Sequence, residues 1–333
     1  MKRAWGTVKE WVDVYILLLF GMVLLAAVMP ATGVAVRPVE IATDLAVALL
    51  FFLYGARLSA DQTLQGIRHW RLHSLVLACT YVMFPLLGLL TAFLSRPFLG
   101  PELAAGMLFL TLLPSTVQSS VAFTSIAHGN VAASIVAASV SNLLGVLLTP
   151  LLVTLAMGAA AGVNLGTIRS LFLQLVLPFV LGQLVHRWLG GFLARHKQVT
   201  SKVDRGAILL VVYAAFSAGM REDMFSRLGG WQLVALLVVC CVLLAVVLAA
   251  TMAISKALGF AWPDRTAIIF AGSKKSMASG LPMAQVIFPA AAVGILVLPL
   301  MLFHQIQLIV CAQLARRWSR LTPEAGPTSS TAG

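Results

Sequence analysis

Long apolar runs alternate with short polar segments over almost the whole chain, a pattern that predicts a bundle of transmembrane helices. A helix that crosses the hydrocarbon core of a bilayer needs about 20 predominantly apolar residues. We predict ten such spans, at residues 14–33, 41–58, 72–94, 103–127, 131–157, 168–186, 206–220, 231–253, 266–288 and 290–314. The tail, residues 316–333, is rich in Pro, Ser and Thr and is predicted to be disordered.

Composition and charge favour a multi-pass membrane protein over a nucleic-acid-binding one. Hydrophobic residues make up 60% of the chain and charged residues 10%, against about 45–50% and about 25% in soluble domains. The net charge is +12, but the cations lie in short loops. With the N-terminus in the cytoplasm, 16 of the 23 lysines and arginines fall on the cytoplasmic side, 5 on the other side and 2 within a span. This bias predicts that both termini are cytoplasmic, that the lipid bilayer is a partner and that nucleic acid is not.

The first apolar run could be a signal peptide or a retained transmembrane span, and the cysteines show no sign of a metal site. A short basic segment precedes the apolar residues 14–29, as in a signal peptide, but equally apolar runs recur to the end and favour a retained first span. All four cysteines lie inside apolar runs without metal-type spacing. We therefore expect no cofactor apart from a coupling ion.

The ninth predicted span has a polar centre, with the sequence Gly-Ser-Lys-Lys-Ser-Met-Ala-Ser-Gly at residues 272–280. A lysine near the bilayer centre costs at least ~2.5–3.5 kcal/mol to insert. The two glycines and Pro282 disfavour an unbroken helix. Non-helical backbone at this depth is tolerated only where it is buried in protein or lines water. The pattern is typical of a discontinuous helix at a transport site.

The fourth predicted span is interrupted in a similar position, by Pro-Ser-Thr-Val-Gln-Ser-Ser at residues 114–120. Five spans precede and five follow a Gly- and Ala-rich connection, and an odd number per half inserts the second half upside down. We therefore predict two inverted five-helix repeats, residues 1–159 and 160–315, followed by a cytoplasmic tail. Inverted repeats with one broken helix in each half are typical of secondary transporters.

Two segments resemble the bile acid:sodium symporter family. One runs from residue 113 to 130 and continues at 139–150, and the other is the Gly-Ser-Lys-Lys run, which resembles the bacterial symporter branch related to mammalian solute carrier 10 member 7. The resemblance spans nearly the whole chain. It implies an all-α membrane protein of the bacterial inner membrane, with a panel domain (spans 1, 2, 6 and 7) and a core domain (spans 3–5 and 8–10). It further implies that discontinuous helices 4 and 9 cross at their unwound middles and that the domains move to give alternating access.

The predicted substrate- and ion-binding residues come from the two interruptions and from the fifth span. They are Ser115, Thr116, Gln118, Ser119, Ser120, Ser134, Ser139, Asn142, Ser273, Lys274, Lys275, Ser276 and Ser279. The resemblance implies a possible sodium site at Ser119, Ser120, Ser134 and Ser273. Characterised relatives place a glutamate shared by two sodium sites where this chain has Ser273 followed by two lysines, a departure that argues against sodium coupling.

The two lysines have functional and structural interpretations. A charged ammonium can replace a bound sodium and, with the positive ends of the half-helices, attract an anionic substrate. A lysine that loses its proton could instead carry a proton in each transport cycle. Alternatively, the lysines hydrogen-bond carbonyl groups at the break and serve only the structure. His304, Gln305 and Gln307 are predicted to form hydrogen bonds between helices.

The prediction is therefore a secondary active transporter, a monomer or homodimer, that moves a small organic anion with Na+ or H+ as the coupling ion. An enzyme is not expected, because the spans contain neither an acid at depth nor a nucleophile with its base. A passive anion channel and a non-transporting regulator on the same scaffold remain as alternatives. An arsenite exporter is disfavoured, because such relatives have a cysteine in span 4 and this chain has none there.

Overall fold

The computed structural model describes residues 14–57, 69–158, 172–221 and 229–321, and every regular element in these ranges is helical. The helices are α1 (Val14–Val28), α2 (Val36–Arg57), α3 (Trp70–Ala78), α4 (Phe84–Leu99), α5 (Pro101–Thr111), α6 (Val117–Ile126), α7 (Val131–Met157), α8 (Leu177–Arg195), α9 (Lys197–Arg221), α10 (Gly230–Ala257), α11 (Trp262–Gly272), α12 (Met277–Ile287) and α13 (Ala290–Leu321). A π-helical turn, Cys79–Met83, joins α3 to α4, and a second, Phe172–Val176, precedes α8.

The bundle has the outer surface of a membrane protein. Seven helical segments of the described chain are long and apolar enough to cross a membrane, and two shorter ones, Leu17–Val28 and Pro101–Thr111, are also apolar. Leu24, Phe93 and Leu155 are 65%, 77% and 72% exposed. A soluble protein rarely exposes extended apolar surface of this kind, whereas lipid tails solvate it in a bilayer. The protein is therefore a multi-pass membrane protein.

One group of packed helices consists of α1, α2, α8 and α9. Helices α2 and α8 cross at two glycines, where Gly55 lies against the carbonyl of Phe179 and Gly182 against the carbonyl of Phe52. A Cβ atom at either glycine would overlap the backbone of the other helix. Helix α9 packs on both α1 and α2. The glycines therefore allow the two backbones to approach closely, as small residues do in membrane helices.

The second group consists of α3–α7 and α10–α13. Within it, α5 packs between α4 and α13, while α6 contacts α7 and α11. Two edge-to-face aromatic pairs join its first and last helices. Phe109 of α5 packs against Phe288, directly after α12, and Phe84 of α4 packs against Phe303 of α13. Helix α9 also contacts α12 and α13, so the two groups face each other across α9.

Several helices extend beyond the predicted spans, and α9 and α13 show this most clearly. The predicted seventh span began at residue 206, but α9 starts at Lys197, because the charged residues before 206 continue the same helix. Helix α13 extends to Leu321, so residues 316–321 of the predicted disordered tail are helical. Trp318 holds this end, since its ring packs against those of Trp262 and Phe270. Residues 322–333 of the predicted tail lie outside the described residues.

Candidate functional site

Two apolar helices are interrupted in the middle of the second helix group. Residues 112–116, here called the first break, separate α5 from α6, and residues 273–276, the second break, separate α11 from α12. Pro114 contributes to the first interruption because it has no N–H and its ring clashes with the preceding turn. Both interruptions fall where the polar residues of the fourth and ninth predicted spans led us to expect them.

The two breaks contact each other through backbone groups. The N–H of Ser276 donates to the carbonyl of Pro114 over 2.8 Å, and the hydroxyl of Thr116 donates to the carbonyl of Lys275 over 2.8 Å. Two further serines of the first break and α6 donate to the last turn of α11, Ser115 to Ala271 and Ser120 to Phe270. Because each of these bonds has its donor in one interrupted helix and its acceptor in the other, the two breaks hold each other in position.

Each backbone carbonyl group from residue 111 to residue 116 accepts a hydrogen bond from a side chain or from the second break. The donor and acceptor pairs are Lys275 to Thr111 and Leu113, Thr149 to Leu112, Ser276 to Pro114, Asn142 to Ser115, and Ser120 to Thr116. A buried carbonyl without a donor would cost about 1–3 kcal/mol. Side chains and one backbone N–H of the second break thus supply the donors that an unbroken helix would have supplied.

The side chain of Lys275 ends among the backbone carbonyl groups of Thr80, Thr111 and Leu113, which we call the carbonyl cage. Its Nζ donates to them over 2.9, 2.8 and 2.7 Å and lies 4.1 Å from the ring centroid of Phe84. The residue is fully buried. Three donated hydrogen bonds require the three protons of an ammonium group. The positive charge is therefore stabilised by three carbonyl dipoles and an aromatic face.

The carbonyl of Thr80 is available to Lys275 because of the π-helical turn. In an α-helix the N–H of Phe84 would donate to Thr80, but here it donates to Cys79, five residues back. The residue five positions after Thr80 is Pro85, which has no N–H. The Thr80 carbonyl thus has neither of these two helical donors, and the ammonium takes their place.

Helix α13 fixes the backbone of the second break through Gln307. The side-chain oxygen of Gln307 accepts the N–H of Lys275 over 3.0 Å, and its amide nitrogen donates to the carbonyl of the same residue over 2.9 Å. This is the interhelical hydrogen bonding predicted for Gln307. His304 and Gln305 line the cavity described below, and the Nδ1 of His304 also lies 3.4 Å from the same carbonyl of Lys275.

Lys274 is also fully buried, but its surroundings differ. Its Nζ lies 3.7 Å from the ring centroid of Phe123 and 5.7 Å from that of Phe270, and we call these two rings the aromatic pocket. Among the described residues, the Nζ has no hydrogen-bond partner. A cation over aromatic faces gains electrostatic attraction, but less than a hydrogen-bonded ammonium would.

A cavity of about 580 Å³ lies between the two helix groups. One wall contains the first turns of α6 and α12, and the opposite wall is formed by α1, α2, α8 and α9. The N-terminus of α6 has no side-chain cap, because the hydroxyl of Thr116 bonds to the second break instead. The N-terminus of α12 is capped by the hydroxyl of Ser276. Two positive helix ends therefore meet at one cavity, which favours an anion there.

The predicted binding residues divide into those that line the cavity and those that do not. Seven line it: Thr116, Gln118, Ser119, Ser139, Asn142, Ser276 and Ser279. Six lie behind the wall: Ser115, Ser120, Ser134, Ser273, Lys274 and Lys275. Neither lysine thus faces the cavity, although Phe123, which contacts Lys274, does.

The four residues of the predicted sodium site lie in unlike surroundings. The hydroxyl of Ser120 shares its one proton between two carbonyl groups, and that of Ser134 accepts from Thr124 over 3.2 Å. The hydroxyl oxygens of Ser119 and Ser273 are buried without a hydrogen-bond partner among the described residues. Only Ser119 of the four lines the cavity. A sodium site at these residues stays a prediction.

An ion pair at one end of the cavity was not anticipated from the sequence. The guanidinium of Arg57, at the end of α2, forms two hydrogen bonds with the carboxylate of Asp204 near the start of α9. Both residues line the cavity, and their side chains are 28% and 16% exposed. Sequence reasoning assigned Asp204 to a loop, because it placed the start of the seventh span too late.

The opposite ends of α1 and α9 are joined by direct hydrogen bonds. Tyr213 donates to the carbonyl of Met29 over 3.0 Å, and Arg221 donates to the carbonyl of Ala31 over 2.8 Å. The N–H of Ala31 also donates to the hydroxyl of Ser217. None of these residues lines the cavity. These bonds therefore join α9 to the residues that follow α1, within one wall of the cavity.

Comparison with known proteins assigns this architecture to a family. The family model described as "SBF-like CPA transporter family" matches residues 13–320. The chain belongs to the SBF-like CPA transporter family. The resemblance to bile acid:sodium symporters is confirmed, and because the family is one of transporters, so is the prediction that the protein is not an enzyme.

Relatives of this SBF-like CPA transporter extend from bacteria to vertebrates. An uncharacterised protein of Pseudomonas aeruginosa is 50% identical over 94% of this chain and 95% of its own. The Escherichia coli protein named "Putative symporter YfeH" is 47% identical over 94% of each chain. Sodium/bile acid cotransporter 7 of Xenopus tropicalis is 28% identical over 91% of this chain and 89% of its own. The similarity thus covers both breaks and both helix groups.

Proposed function

We propose that this SBF-like CPA transporter is a secondary active transporter that carries a small organic anion through the cavity between its two helix groups. The observation that supports this most directly is the meeting of two half-helix N-termini, those of α6 and α12, at that cavity. Partial positive charges at helix N-termini attract carboxylate, sulfate or phosphate groups. The apolar part of a substrate would contact Phe51, Met283 and Val146, which line the same space.

The proposed architecture has ten spans arranged as two inverted repeats, residues 1–159 and 160–315. The helix group α1, α2, α8 and α9 corresponds to the panel domain, and α3–α7 with α10–α13 corresponds to the core domain. The interruption of one helix in each half supports this assignment, since a broken helix per repeat is a feature of such transporters. We further propose that the protein lies in a bacterial inner membrane with both termini in the cytoplasm, as a monomer or homodimer.

In the proposed transport cycle, the core moves against the panel, so that the cavity opens first to one side of the membrane and then to the other. The cavity reaches Arg57 and Asp204, at ends of α2 and α9 that the charge bias assigns to the cytoplasm. At the opposite end, the hydrogen bonds of Tyr213 and Arg221 join α9 to the residues that follow α1, within one helix group, and hold this wall of the cavity together. A cavity that reaches the cytoplasmic end of this wall corresponds, in this proposal, to an inward-open state of a carrier.

The positive charge needed to hold an anion comes, in this proposal, from the helix ends and from Lys274. Its ammonium has no hydrogen-bond partner among the described residues, and Phe123 separates it from the cavity. A rotation of that ring would expose the charge to a bound anion. The coupling ion, Na+ or H+, is not assigned by these contacts.

Uptake into proteoliposomes tests the proposal. Candidate carboxylates and sulfonates are first ranked by the rise in Tm that they give the purified protein, because a ligand stabilises the state that it binds. Uptake of the best anion should saturate and should be accelerated by the same anion trapped inside the vesicles. Flux that rises linearly with concentration and shows no counter-exchange would indicate a channel instead.

A pair of tryptophan substitutions tests whether the cavity is the path. Ala122 lines the cavity and is exposed to it, so Ala122→Trp should fill part of the space and reduce uptake at least tenfold. The matched control is Leu155→Trp, at a position 72% exposed on the outer surface, which should keep both uptake and Tm. Normal uptake by a folded Ala122→Trp variant would exclude this cavity as the path.

A further inference from the structure

We propose that the carbonyl cage is a binding site for a monovalent cation and that the ammonium of Lys275 occupies it permanently. Lys275 therefore provides a fixed positive charge where the two breaks meet. A protein without this lysine would have to bind a cation from solution to have the same charge there. This inference deepens the proposed function by assigning one element of its ion coupling. The occupancy of the cage can nevertheless be tested without any transport substrate.

The cage is built like a cation site. Its oxygens come from a π-helical turn (Thr80), from the last residue of α5 (Thr111) and from the first break (Leu113), so three separate backbone positions converge on one point. Each carbonyl belongs to a helix end or an irregular turn and lacks the donor of a regular helix. Converging backbone carbonyl groups of this kind replace the hydration shell of ions in selectivity filters.

Carbonyl dipoles, and not a carboxylate, balance the charge of Lys275. The ion pairs formed within the described ranges are Arg37–Glu40 and Arg57–Asp204, and neither involves a lysine. The distances of 2.7–2.9 Å between Nζ and the three oxygens are those of charge-assisted hydrogen bonds. The ammonium therefore fills the cage completely, with one proton for each oxygen, and leaves no proton for another acceptor.

The position of the cage gives its occupant a second effect. Lys275 belongs to the second break, whereas the three carbonyl groups belong to the end of α5, to the first break and to the turn between α3 and α4. A cation at this point thus adds a link among three segments, beside the hydrogen bonds that already join the two breaks. Permanent occupancy keeps the crossing assembled through every step of transport, so the chain needs no ion from solution for this purpose.

Chemical rescue provides the test. Lys275→Ala removes the three terminal methylenes and the ammonium of the side chain, a group that corresponds to the n-propylammonium ion. The Tm of the purified variant should be well below that of the wild type. It should rise by several degrees with propylammonium chloride in a saturable manner, as mass action requires. Choline chloride at the same ionic strength and neutral propanol should have no such effect.

Two proteins serve as controls. The wild type should not respond to propylammonium, because its cage is filled. Lys274→Ala removes the same atoms from the neighbouring residue, which contacts two rings and no carbonyl cage. Its Tm should not rise with propylammonium either. An equal response of Lys274→Ala, or no response of Lys275→Ala, would overturn the proposal.

A second variant covers the case in which Lys275→Ala does not accumulate. Lys275→Met keeps most of the side chain and removes the charge, so the space left beside the three oxygens suits an alkali cation and not propylammonium. Na+ or K+ should then increase its resistance to heat and protease in isolated membranes. If neither ion does so, the cage is not a cation site.

The outcomes also separate this inference from the proposed function. A cation response of Lys275→Ala, in a protein whose wild type takes up none of the anions, would refute the proposed function and leave the cage standing. Conversely, the wild type could show saturable anion uptake while no cation raises the Tm of Lys275→Ala. That result would support the proposed function and refute the cation site.

Discussion

Lys274 and Lys275 are neighbours in the second break and are both fully buried, yet they lie in opposite kinds of surroundings. The ammonium of Lys275 donates to three carbonyl groups, whereas that of Lys274 lies against two aromatic rings without a hydrogen bond among the described residues. Successive side chains of a non-helical segment point in different directions, which separates the two groups. The charge of Lys275 is therefore fully hydrogen-bonded by the protein, whereas the charge of Lys274 remains available to a ligand.

The difference has an energetic meaning. A buried charge is tolerated when hydrogen bonds replace its hydration and is costly when they do not. Lys275 meets this condition and Lys274 meets it only weakly, through cation–π attraction. A costly group that persists at the wall of a cavity is a candidate for function. We therefore assign Lys275 to the architecture of the crossing and Lys274 to the recognition of the anion.

The largest expected effect concerns stability and follows from the carbonyl cage. Lys275→Met leaves three buried carbonyl groups without a donor and should destabilise the protein by about 3–5 kcal/mol. Lys274→Met breaks no hydrogen bond and removes a costly buried charge, so it should leave stability unchanged or increase it. Thermal unfolding of the two variants in detergent, followed by size-exclusion chromatography, measures the difference. Equal losses in the two variants would contradict the comparison.

The next largest effect concerns anion binding, where the substitution of Lys274 should have the larger effect of the two lysines. Lys274→Met should weaken the binding of the transported anion at least tenfold, about 1.4 kcal/mol, while the protein remains folded. Lys274→Arg keeps the charge and should retain part of the affinity. Isothermal titration calorimetry on both variants measures this. Undiminished affinity in Lys274→Met would exclude this lysine from recognition and leave the helix N-termini as the source of positive potential.

The helical class and both interruptions could be predicted from the sequence, because they depend on local composition. Apolar runs of span length predict helices, and Pro114 with the surrounding polar residues predicts a break. Whether a serine of the break lines the site could not be predicted. Ser119 and Ser120 are adjacent, yet the first faces the cavity and the second bonds to the carbonyl of Phe270. That choice depends on the rotation of α6 against α11, which no local pattern encodes.

The carbonyl cage lay further beyond sequence reasoning, although one of the interpretations of the lysines anticipated bonds to carbonyl groups. Its ligands are backbone atoms, which are the same in every residue type, so no motif marks them.

The ion pair of Arg57 and Asp204 was missed for another reason. Residues 197–205 are too polar to be counted in a span, yet they extend α9 into the cavity wall.

The smallest expected effect tests the origin of the Thr80 acceptor and links it to Lys275. Pro85→Ala restores an N–H five residues after Thr80, where a π-helical turn could direct it to that carbonyl. In the wild-type background this donor competes with the ammonium, so the variant should lose about 1 kcal/mol of stability.

In the Lys275→Met background the same N–H satisfies a carbonyl that has lost its donor, so Pro85→Ala should be neutral or stabilising there. A double-mutant cycle on the free energies of unfolding measures the coupling between the two positions. Additive effects would mean that the carbonyl of Thr80 contributes nothing to holding Lys275. A coupling energy of about 1 kcal/mol would show that the missing N–H of Pro85 helps to make the burial of a charged Lys275 possible. Lys274 has no such carbonyl acceptor, and its ammonium relies on two aromatic rings instead.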